Sequence, residues 1–399
     1  MERDEKLDLH IYEYDPDEID EVLPFRNAIF GDVSRAQWKA MNCTAAVARD
    51  GEELVGFIPL QYREQCLRPG LTVPVVYENA VGVAEGRRGE GIGSRMMNAA
   101  AGFIRDRADA LFVIRGGERS EGYRFYRKTG HGDLSYMCFY NLPPEVSWPA
   151  VAEAGIEVLD RDRWLELEPQ LLALYEQHYG RFGGGWQRAP GYWRTILDAH
   201  VYRDRKWWLI TLGAGPERVR GYLVASYGLW DASPDLVVYE VVGEDDGAVA
   251  ALLRDARARA NGERFRVPYV SLANPVRPLL LQMGFEESES SPHIMARILR
   301  PDRMFERLAA GSNLLDTLAL TVSTPHRALA VNTPPDPRYT VRLEMKESLL
   351  SRLFCCRLDL EAALETEMVR WNGRDLALKR ELCEVFAFAD WVQWFTDYV

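Results

Sequence analysis

Apolar and polar positions along the first 150 residues predict strands and helices in a definite order. Apolar positions alternate at 9–14, which predicts an opening strand, and the segment 17–30 has the spacing of an amphipathic helix. The apolar face of that helix consists of Ile19, Val22, Leu23 and Phe25. Further strands are predicted at 43–50, 54–62, 71–85, 110–116 and 134–142, with helices after residue 91 and at 120–130. The predicted order is β-α-β-β-β-α-β-α-β, an α/β arrangement.

A glycine-rich stretch, RRGEGIGSR at 87–95, connects the long apolar strand to the next helix. The apolar face of that helix is predicted to be Ile92, Met96, Ala99 and Phe103. The first N–H groups of a helix have no partner within the helix, and glycines let a pyrophosphate approach the backbone closely. The spacing of Arg88, Gly91 and Gly93 is that of neither a dinucleotide fingerprint nor a Walker loop. The stretch therefore predicts an anion site, with a tight turn bearing solvated arginines as the alternative.

The middle third repeats this order of elements with a different turn. The segment 236–260 reads as a strand, the turn GEDDG and an alanine-rich helix. Three carboxylates, those of Glu244, Asp245 and Asp246, would repel a pyrophosphate, so we interpret the second copy as a degenerate scaffold. A third region begins near residue 300, has leucine-rich helical spacing at 343–364, and ends in an apolar segment that we expect to be packed.

Composition limits the class of protein and of partner. The 399 residues suit two or three domains, and 47% hydrophobic with 27% charged residues is typical of a soluble globular protein. No apolar run is long enough to span a membrane, and the charged N-terminus is unlike a signal peptide, so a cytosolic location is expected. The net charge of −12 disfavours a nucleic-acid partner. It is consistent with a cationic ligand, or with an acidic surface that only supports solubility. Six cysteines and six histidines lack metal-ligand spacing, which predicts buried, reduced thiols and no metal.

Two motifs in the first third resemble those of a known superfamily. VGVAEGRRGEGIG (81–93) is similar to the acyl-CoA pyrophosphate loop of the GCN5-related N-acetyltransferases (GNAT), and FYRKTGH (125–131) resembles their later F-Y-x-x-x-G-F segment. His131 departs from the usual aromatic or aliphatic residue, and we expect it to be structural. The resemblance implies acetyl-CoA as co-substrate. The implied cofactor-binding residues are Val81, Gly82, Val83, Arg87, Arg88, Gly89, Gly91, Ile92, Gly93, Ser94 and Ser120.

The whole chain resembles, by order and length, the enhanced intracellular survival family of acetyltransferases. That resemblance implies an α/β (α+β) fold with tandem GNAT domains and a sterol-carrier-protein-like third domain. The corresponding boundaries are 1–147 for the catalytic domain, 148–300 for the degenerate one and 301–399 for the third. It also implies a homo-oligomer, specifically a hexamer, and a cationic acceptor such as an aminoglycoside or polyamine.

Acetyl transfer to an amine requires a general acid for the thiolate and a base for the amine. By its position in FYRKTGH, Tyr126 corresponds to the superfamily's general acid, and Tyr123 is the fallback. In the three-domain family the base is the C-terminal carboxylate, here that of Val399, threaded into the first domain's site. That family commonly ends in an aromatic residue, so valine is a departure. Glu78, on the strand before the glycine turn, is the fallback base.

Two other functions remain open from the sequence. An acidic cleft suits a protein lysine or N-terminal amine equally well, which gives a protein acetyltransferase. A non-catalytic acyl-CoA sensor or a lipid carrier is the alternative from another class.

Overall fold

The structure is a computed structural model that describes residues 8–40, 43–78, 80–114, 118, 121–148, 155–198, 207–213, 218–228, 234–260 and 264–398. The chain divides into two compact units. The first takes the chain up to Gln65 together with Leu71–Leu134 and Ile294–Phe388, and the second takes Cys66–Gly70, Ser135–His293 and the chain from Ala389. The three consecutive domains inferred from the sequence stay a prediction.

The N-terminal part of the first unit follows the predicted order of elements. Its elements are β1 (Leu9–Glu13), α1 (Ile19–Phe30), α2 (Arg35–Ala40), β2 (Cys43–Asp50), β3 (Glu53–Arg68), β4 (Leu71–Glu78), β5 (Gly82–Val83), α3 (Ile92–Ile104), β6 (Ala110–Ile114) and α4 (Glu121–Lys128). Strands β1, β2, β3, β4 and β6 are neighbours in that order. Helix α2 was not predicted, and the single strand predicted at 71–85 is wrong because it breaks after Glu78.

Helix α3 packs on this sheet through a stripe that the sequence predicted only in part. Its buried residues are Ile92, Met96, Met97, Ala100, Ala101 and Ile104. The predicted Ala99 and Phe103 are only half-buried, because the i, i+4 series from Ile92 to Ile104 faces the sheet. Gly56 of β3 allows the close approach, since a Cβ there would lie 2.3 Å from the Met96 sulfur.

The buried face of α1 also differs from the prediction. Ile19 and Val22 are buried as expected, but Leu23 and Phe25 are half-buried and the third buried position is Arg26. The Arg26 side chain donates to the carbonyl oxygen of Gly31 just beyond the end of the helix. A cation near the last carbonyls of a helix is favourable, which explains a buried arginine on this face.

The second unit repeats the alternation of strands and helices seen in the first unit. Its elements are β7 (Gly132–Leu142), β8 (Ile156–Leu159), α5 (Arg161–Glu166), α6 (Glu168–Tyr179), α7 (Tyr192–Asp198), β9 (Trp208–Gly213), β10 (Val219–Tyr227), β11 (Leu236–Gly243), α8 (Asp246–Arg259), β12 (Phe265–Ser271), α9 (Arg277–Gln282) and β13 (Glu286–Glu287). The sheet order is β7, β12, β11, β10, β9, β8. The proline-rich segment after Leu142 is not a free linker, since Trp148 packs against Phe265 and Phe285.

The C-terminal region adds a small mixed sheet with helices, as expected of an α+β domain. Its elements are β14 (Ser291–Ile298), α10 (Pro301–Leu308), α11 (Leu314–Thr317), β15 (Leu318–Ser323), β16 (Ala328–Asn332), β17 (Tyr339–Met345), α12 (Glu347–Phe354), α13 (Leu360–Glu365), β18 (Val369–Trp371) and α14 (Leu376–Val385). The four-stranded order is β16, β15, β17, β18. The helical prediction from Leu343 is wrong at its start, because β17 continues to Met345.

All six cysteines lie in the described residues, and none forms a disulfide. Cys138, Cys355 and Cys356 are buried as predicted, whereas Cys43, Cys66 and Cys383 are half-buried. Within the described ranges, no helix has the length and apolar character needed to cross a membrane.

Candidate functional site

The glycine turn before α3 has the geometry of an open anion site. Gly89 and Gly91 have φ angles of 89° and 78°, a region that other residues rarely adopt. A Cβ on either glycine would have no atom within 4 Å, so this face of the turn is open. Gly91 is the N-cap of α3 and supplies no side-chain cap to the helix. The first N–H groups of a 13-residue helix are therefore left for a ligand.

The corresponding turn of the second unit is capped by its own carboxylate. Asp245 accepts a hydrogen bond from the backbone N–H of Ala248 at 2.8 Å, which caps α8. Glu244 forms salt bridges to Arg218 and Arg220. One of the carboxylates that the sequence marked as repulsive to phosphate, that of Asp245, thus occupies the helix end itself, and this turn does not fit a pyrophosphate.

The two arginines of the first turn differ in what they contact. Arg87 donates to Asp50 at 2.7 Å and to Glu90 at 2.9 Å, so its guanidinium braces the turn against β2. Arg88 is exposed and follows Arg87 directly in the turn. A direct cofactor contact stays a prediction for both residues, and the geometry favours Arg88 for it.

The strand that precedes the turn splays after Glu78. Strand β4 pairs in parallel with β6 as far as Glu78 opposite Val113. Beyond this point β5 pairs with β3, with Gly82 opposite Phe57. A Cβ on Gly82 would lie 2.8 Å from the Phe30 ring, so only glycine lets α1 pack here. The divergence leaves an edge of backbone donors and acceptors near the turn, as the pantetheine amides of acyl-CoA require.

The remaining predicted cofactor residues lie close to this edge. Val81 and Val83 are half-buried against the core beneath α3, and Ile92 anchors the start of that helix in the core. An added Cβ on Gly93 would lie 3.4 Å from both Val81 and Phe125, so this glycine is in ordinary packing contact. Ser94 is half-buried in the first turn of α3. Ser120 lies outside the described residues.

The two candidate acids on α4 lie in different surroundings. Tyr126 is 1% exposed and packs edge-on against Phe125 and His131, within the core cluster that contains α3. Tyr123 donates its hydroxyl proton to Asp133 at 3.0 Å. Burial, and then the Asp133 carboxylate, raise the pKa of Tyr123 to about 12. A phenol with so high a pKa gives its proton to a thiolate less readily, which argues against Tyr123 as the acid.

His131 is structural, as the sequence indicated. The ring is 2% exposed and its Nδ1 lies 3.1 Å from the Thr129 hydroxyl. Burial, reinforced by Arg297, lowers the pKa of His131 to about 3, so the imidazole is neutral. Its edge-on contact with the Tyr126 ring helps to fix that ring.

The candidate bases are Glu78 and the carboxylate of Val399. Glu78 is 1% exposed at the end of β4, where the strand splays. Val399 lies outside the described residues. The segment leading to it is packed as expected, with Trp391, Trp394 and Phe395 fully buried in the second unit, although it forms a short 3-10 turn at Phe395–Tyr398 rather than a helix.

The splayed strand, the uncapped glycine turn and the helix after it form a site that can accept the pyrophosphate and pantetheine of an acyl-CoA. Residues 10–131 match the sequence profile of the Acetyltransferase (GNAT) family. The match covers less than half of the chain, and it makes this region similar to that family of acetyltransferases. No curated protein sequence matches the chain.

Solved structures resemble the fold over nearly the entire chain. A GCN5-related N-acetyltransferase from Anabaena variabilis has a TM-score of 0.69 at 14% identity and covers 98% of this chain and 100% of its own. One from Kribbella flavida has a TM-score of 0.63 at 19% identity, covering 96% and 97%. Eis1 from Mycobacterium abscessus has a TM-score of 0.62 at 15% identity, covering 98% and 100%. At these identities the likeness concerns the fold alone.

Sequence reasoning missed a buried ionic cluster in the second unit. Arg188, Glu240 and Asp397 form it, each with a fully or nearly fully buried side chain. A signal was present, because Glu240 is the one charged residue in the otherwise apolar strand LVVYEVVG. A carboxylate inside such a strand requires a partner.

Replacing Gly91 by alanine should weaken acetyl-CoA binding by about tenfold. The φ of 78° at Gly91 costs an alanine roughly 1–2 kcal/mol, which the turn can relieve only by moving. Gly86→Ala is the matched control, because that glycine has no positive φ and its Cβ would also meet open space. Calorimetric titration with acetyl-CoA measures both variants. Equal affinities for the two would contradict the role of this turn.

Proposed function

We propose that this chain is an N-acetyltransferase that moves an acetyl group from acetyl-CoA to a primary amine of a cationic small molecule of the aminoglycoside or polyamine class. The observation that carries the proposal is the open, uncapped turn at Gly89 and Gly91, within residues that match the acetyltransferase family. The net charge of −12 supports a cationic acceptor, because an acidic protein attracts cations and repels anions.

The first unit supplies the binding and proton-transfer groups. The backbone N–H groups from Gly91 to Gly93 hold the pyrophosphate, and the edge at Val81–Val83 holds the pantetheine amides. Acetyl-CoA supplies an activated thioester and a thiolate leaving group. Tyr126 donates a proton to the leaving sulfur, the general-acid role that its position in FYRKTGH implies.

A base must take a proton from the ammonium form of the acceptor before the nitrogen can attack. We assign this role to the terminal carboxylate of Val399, with Glu78 as the alternative. A free carboxylate is a weak base, so either group would need burial to raise its pKa. Glu78 is buried at the splayed strand, and the buried segment Trp391–Phe395 before Val399 supports the other assignment.

An acidic groove on α1 is the proposed acceptor subsite. It has a volume of about 440 Å³, and its polar lining includes Asp20, Asn27 and Asp32. Asp20 also forms an exposed salt bridge with Arg35 at 3.2 Å. The carboxylates of Asp20 and Asp32 suit ammonium groups, which are donors only, whereas the Asn27 amide oxygen already accepts from the backbone N–H of Val33 at 3.1 Å.

The test compares acceptors that differ in charge. Release of free CoA is measured with an aminoglycoside, spermidine, a simple monoamine and a lysine-containing peptide, at low and high salt. We expect the highest kcat/KM for the multiply charged small amines and a fall with salt, because salt screens attraction to an acidic site. Asp32→Asn should raise the KM for these acceptors several-fold, while Asp17→Asn makes the same charge change on a residue that does not line the groove.

Three results would contradict the assignment. Turnover with the peptide alone would favour a protein acetyltransferase. Binding of acetyl-CoA without release of free CoA in the presence of any amine would favour a non-catalytic acyl-CoA sensor. Equal rates for the monoamine and spermidine, insensitive to salt, would remove the charge argument. The homo-oligomer stays a prediction that light scattering coupled to gel filtration can test.

A further inference from the structure

The turn 129–133, which follows α4, fixes the end of that helix. The backbone carbonyl oxygen of Tyr126 accepts from the N–H groups of Thr129 and His131, at 3.1 and 3.0 Å. The Thr129 hydroxyl donates to the same oxygen at 3.1 Å, and Nδ1 of His131 lies 3.3 Å from it. Arg127 of α4 donates to the carbonyl oxygen of His131. These contacts tie the helix to the turn, so the two move together.

Helix α4 also borders the candidate cofactor site. A Cβ on Gly93 would lie 3.4 Å from Phe125 of α4 and 3.4 Å from Val81 at the splayed edge. Tyr126, the next residue of α4, belongs to the core cluster under α3. A displacement of the turn after α4 therefore moves Tyr126 relative to the edge that is proposed to hold the pantetheine.

Within this turn, Gly132 is in close contact with α12. A Cβ on Gly132 would lie 2.8 Å from the carbonyl oxygen of Ser348 and 3.2 Å from both Cβ and Oγ of Ser351. The first distance is too short for any side chain, because the backbone oxygen of a helix cannot turn away. Gly132 has no positive φ, so the contact with α12, rather than the backbone conformation, requires glycine here. The turn thus rests directly on α12.

The Ser351 hydroxyl anchors α12 to the sheet of the first unit. Ser351 is 1% exposed, and its hydroxyl donates to the carbonyl oxygen of Ala296 on β14 at 2.5 Å. Strand β14 pairs with β6, with Ala296 opposite Phe112. The preceding residue of β14, Met295, lies in the same core cluster as Tyr126. The helix that supports the turn is therefore fixed to a strand that packs in the same core as the candidate acid.

We propose that Ser351 is a positioning residue: its hydroxyl holds α12 on β14, α12 supports the turn at Gly132, and the turn sets the position of the Tyr126 hydroxyl. This inference rests on the proposed role of Tyr126 as general acid. An acid must lie within hydrogen-bond reach of the atom that it protonates, and a displacement of ~1 Å can cost on the order of 100-fold in rate. All of these residues lie in the first unit, although Ser351 is far beyond the residues 10–131 that match the acetyltransferase family.

The experiment is a double-mutant cycle between Ser351 and Tyr126. Ser351→Ala removes the anchoring hydroxyl without adding an atom, and we expect kcat to fall about tenfold with the Kd for acetyl-CoA unchanged. In a Tyr126→Phe background the same change should lower kcat no further, because no proton donor remains to be displaced. Ser348→Ala makes the same change one turn earlier on α12, keeps its backbone carbonyl oxygen, and should retain the wild-type kcat.

A second variant, Gly132→Ala, perturbs the same contact from the side of the turn. Its new Cβ would meet the Ser348 carbonyl oxygen, so we expect kcat to fall by about 100-fold, and again no further loss in the Tyr126→Phe background. Gly102→Ala is the control, because that glycine has no positive φ and its Cβ would meet open space. Circular dichroism and thermal unfolding identify any variant that does not fold. If Gly132→Ala is such a variant, the cycle with Ser351→Ala decides the question alone.

The outcomes separate this inference from the assignment of the acid. If Tyr126→Phe lowers kcat but Ser351→Ala retains the wild-type kcat, the positioning role is wrong and the acid assignment stands. If the losses multiply in the double variant, Ser351 acts on the fold at large, and the proposal is also overturned. If Tyr126→Phe retains the wild-type kcat, Tyr126 is not the acid, and the positioning role falls with it whatever Ser351→Ala does.

Discussion

Tyr126→Phe should lower kcat by about 100-fold while leaving the affinity for acetyl-CoA unchanged. The substitution removes one hydroxyl from a ring that is otherwise held in the core by Phe125 and His131, so packing and backbone are preserved. General acid catalysis typically contributes 10²–10⁴-fold, and we expect the lower end because a thiolate is already a good leaving group. Steady-state kinetics and calorimetric titration with acetyl-CoA give the two quantities.

The competing assignment makes the opposite prediction. If Tyr123 were the acid, Tyr123→Phe would cause the large loss of kcat and Tyr126→Phe would not. The hydrogen bond from Tyr123 to Asp133, together with burial, holds the pKa of Tyr123 at about 12 and argues against that result. A loss of thermal stability and of acetyl-CoA affinity in Tyr126→Phe, in proportion to the loss of kcat, would instead make Tyr126 a core residue only.

The fold of the first unit could be predicted because its signals are local. Alternation of apolar positions and glycines at turns predicted the order from β1 to α4. The break after Glu78 could not be predicted, because VPVVYENAVGV is apolar on both sides of it. The strand ends there through tertiary contacts, namely the packing of Phe30 on Gly82 and the pairing of β5 with β3. Such contacts join residues far apart in the sequence.

The candidate site shows the same division between local and distant signals. The turn at 87–93 and its contrast with GEDDG could be predicted from residue types alone. The structure adds the physical reason for the contrast, because Asp245 caps the second helix. The pairing of Arg87 with Asp50 joins residues on different elements, so no spacing in the sequence reveals it. The cluster around Arg188 is more distant still, since Asp397 lies 209 residues away.

Arg188→Met should destabilise the second unit strongly, by about 3–5 kcal/mol near neutral pH. Removing the arginine leaves the carboxylates of Glu240 and Asp397 buried without their cation, the costliest way to break a buried ion pair. Methionine retains much of the apolar stem against Tyr175, so lost packing contributes little. Thermal unfolding and hydrogen exchange of residues 389–398 measure the loss. Arg181→Met, an exposed arginine of the same segment, should be close to neutral.

The loss of folding stability in Arg188→Met should also depend on pH, and the ionisation of Asp397 determines the direction of that dependence. Burial raises the pKa of the Asp397 carboxyl although Arg188 lowers it, and the groups facing it are Arg188, Glu240, Tyr192 and the backbone N–H of Trp394. A carboxyl with a raised folded pKa favours the folded state at low pH, and this contribution is lost as pH rises through the folded pKa. Without Arg188 that pKa rises further, so the deficit relative to wild type should grow from pH 5 to pH 7.5. A deficit that stays constant over this range would mean that losing Arg188 does not change the protonation of Asp397 there.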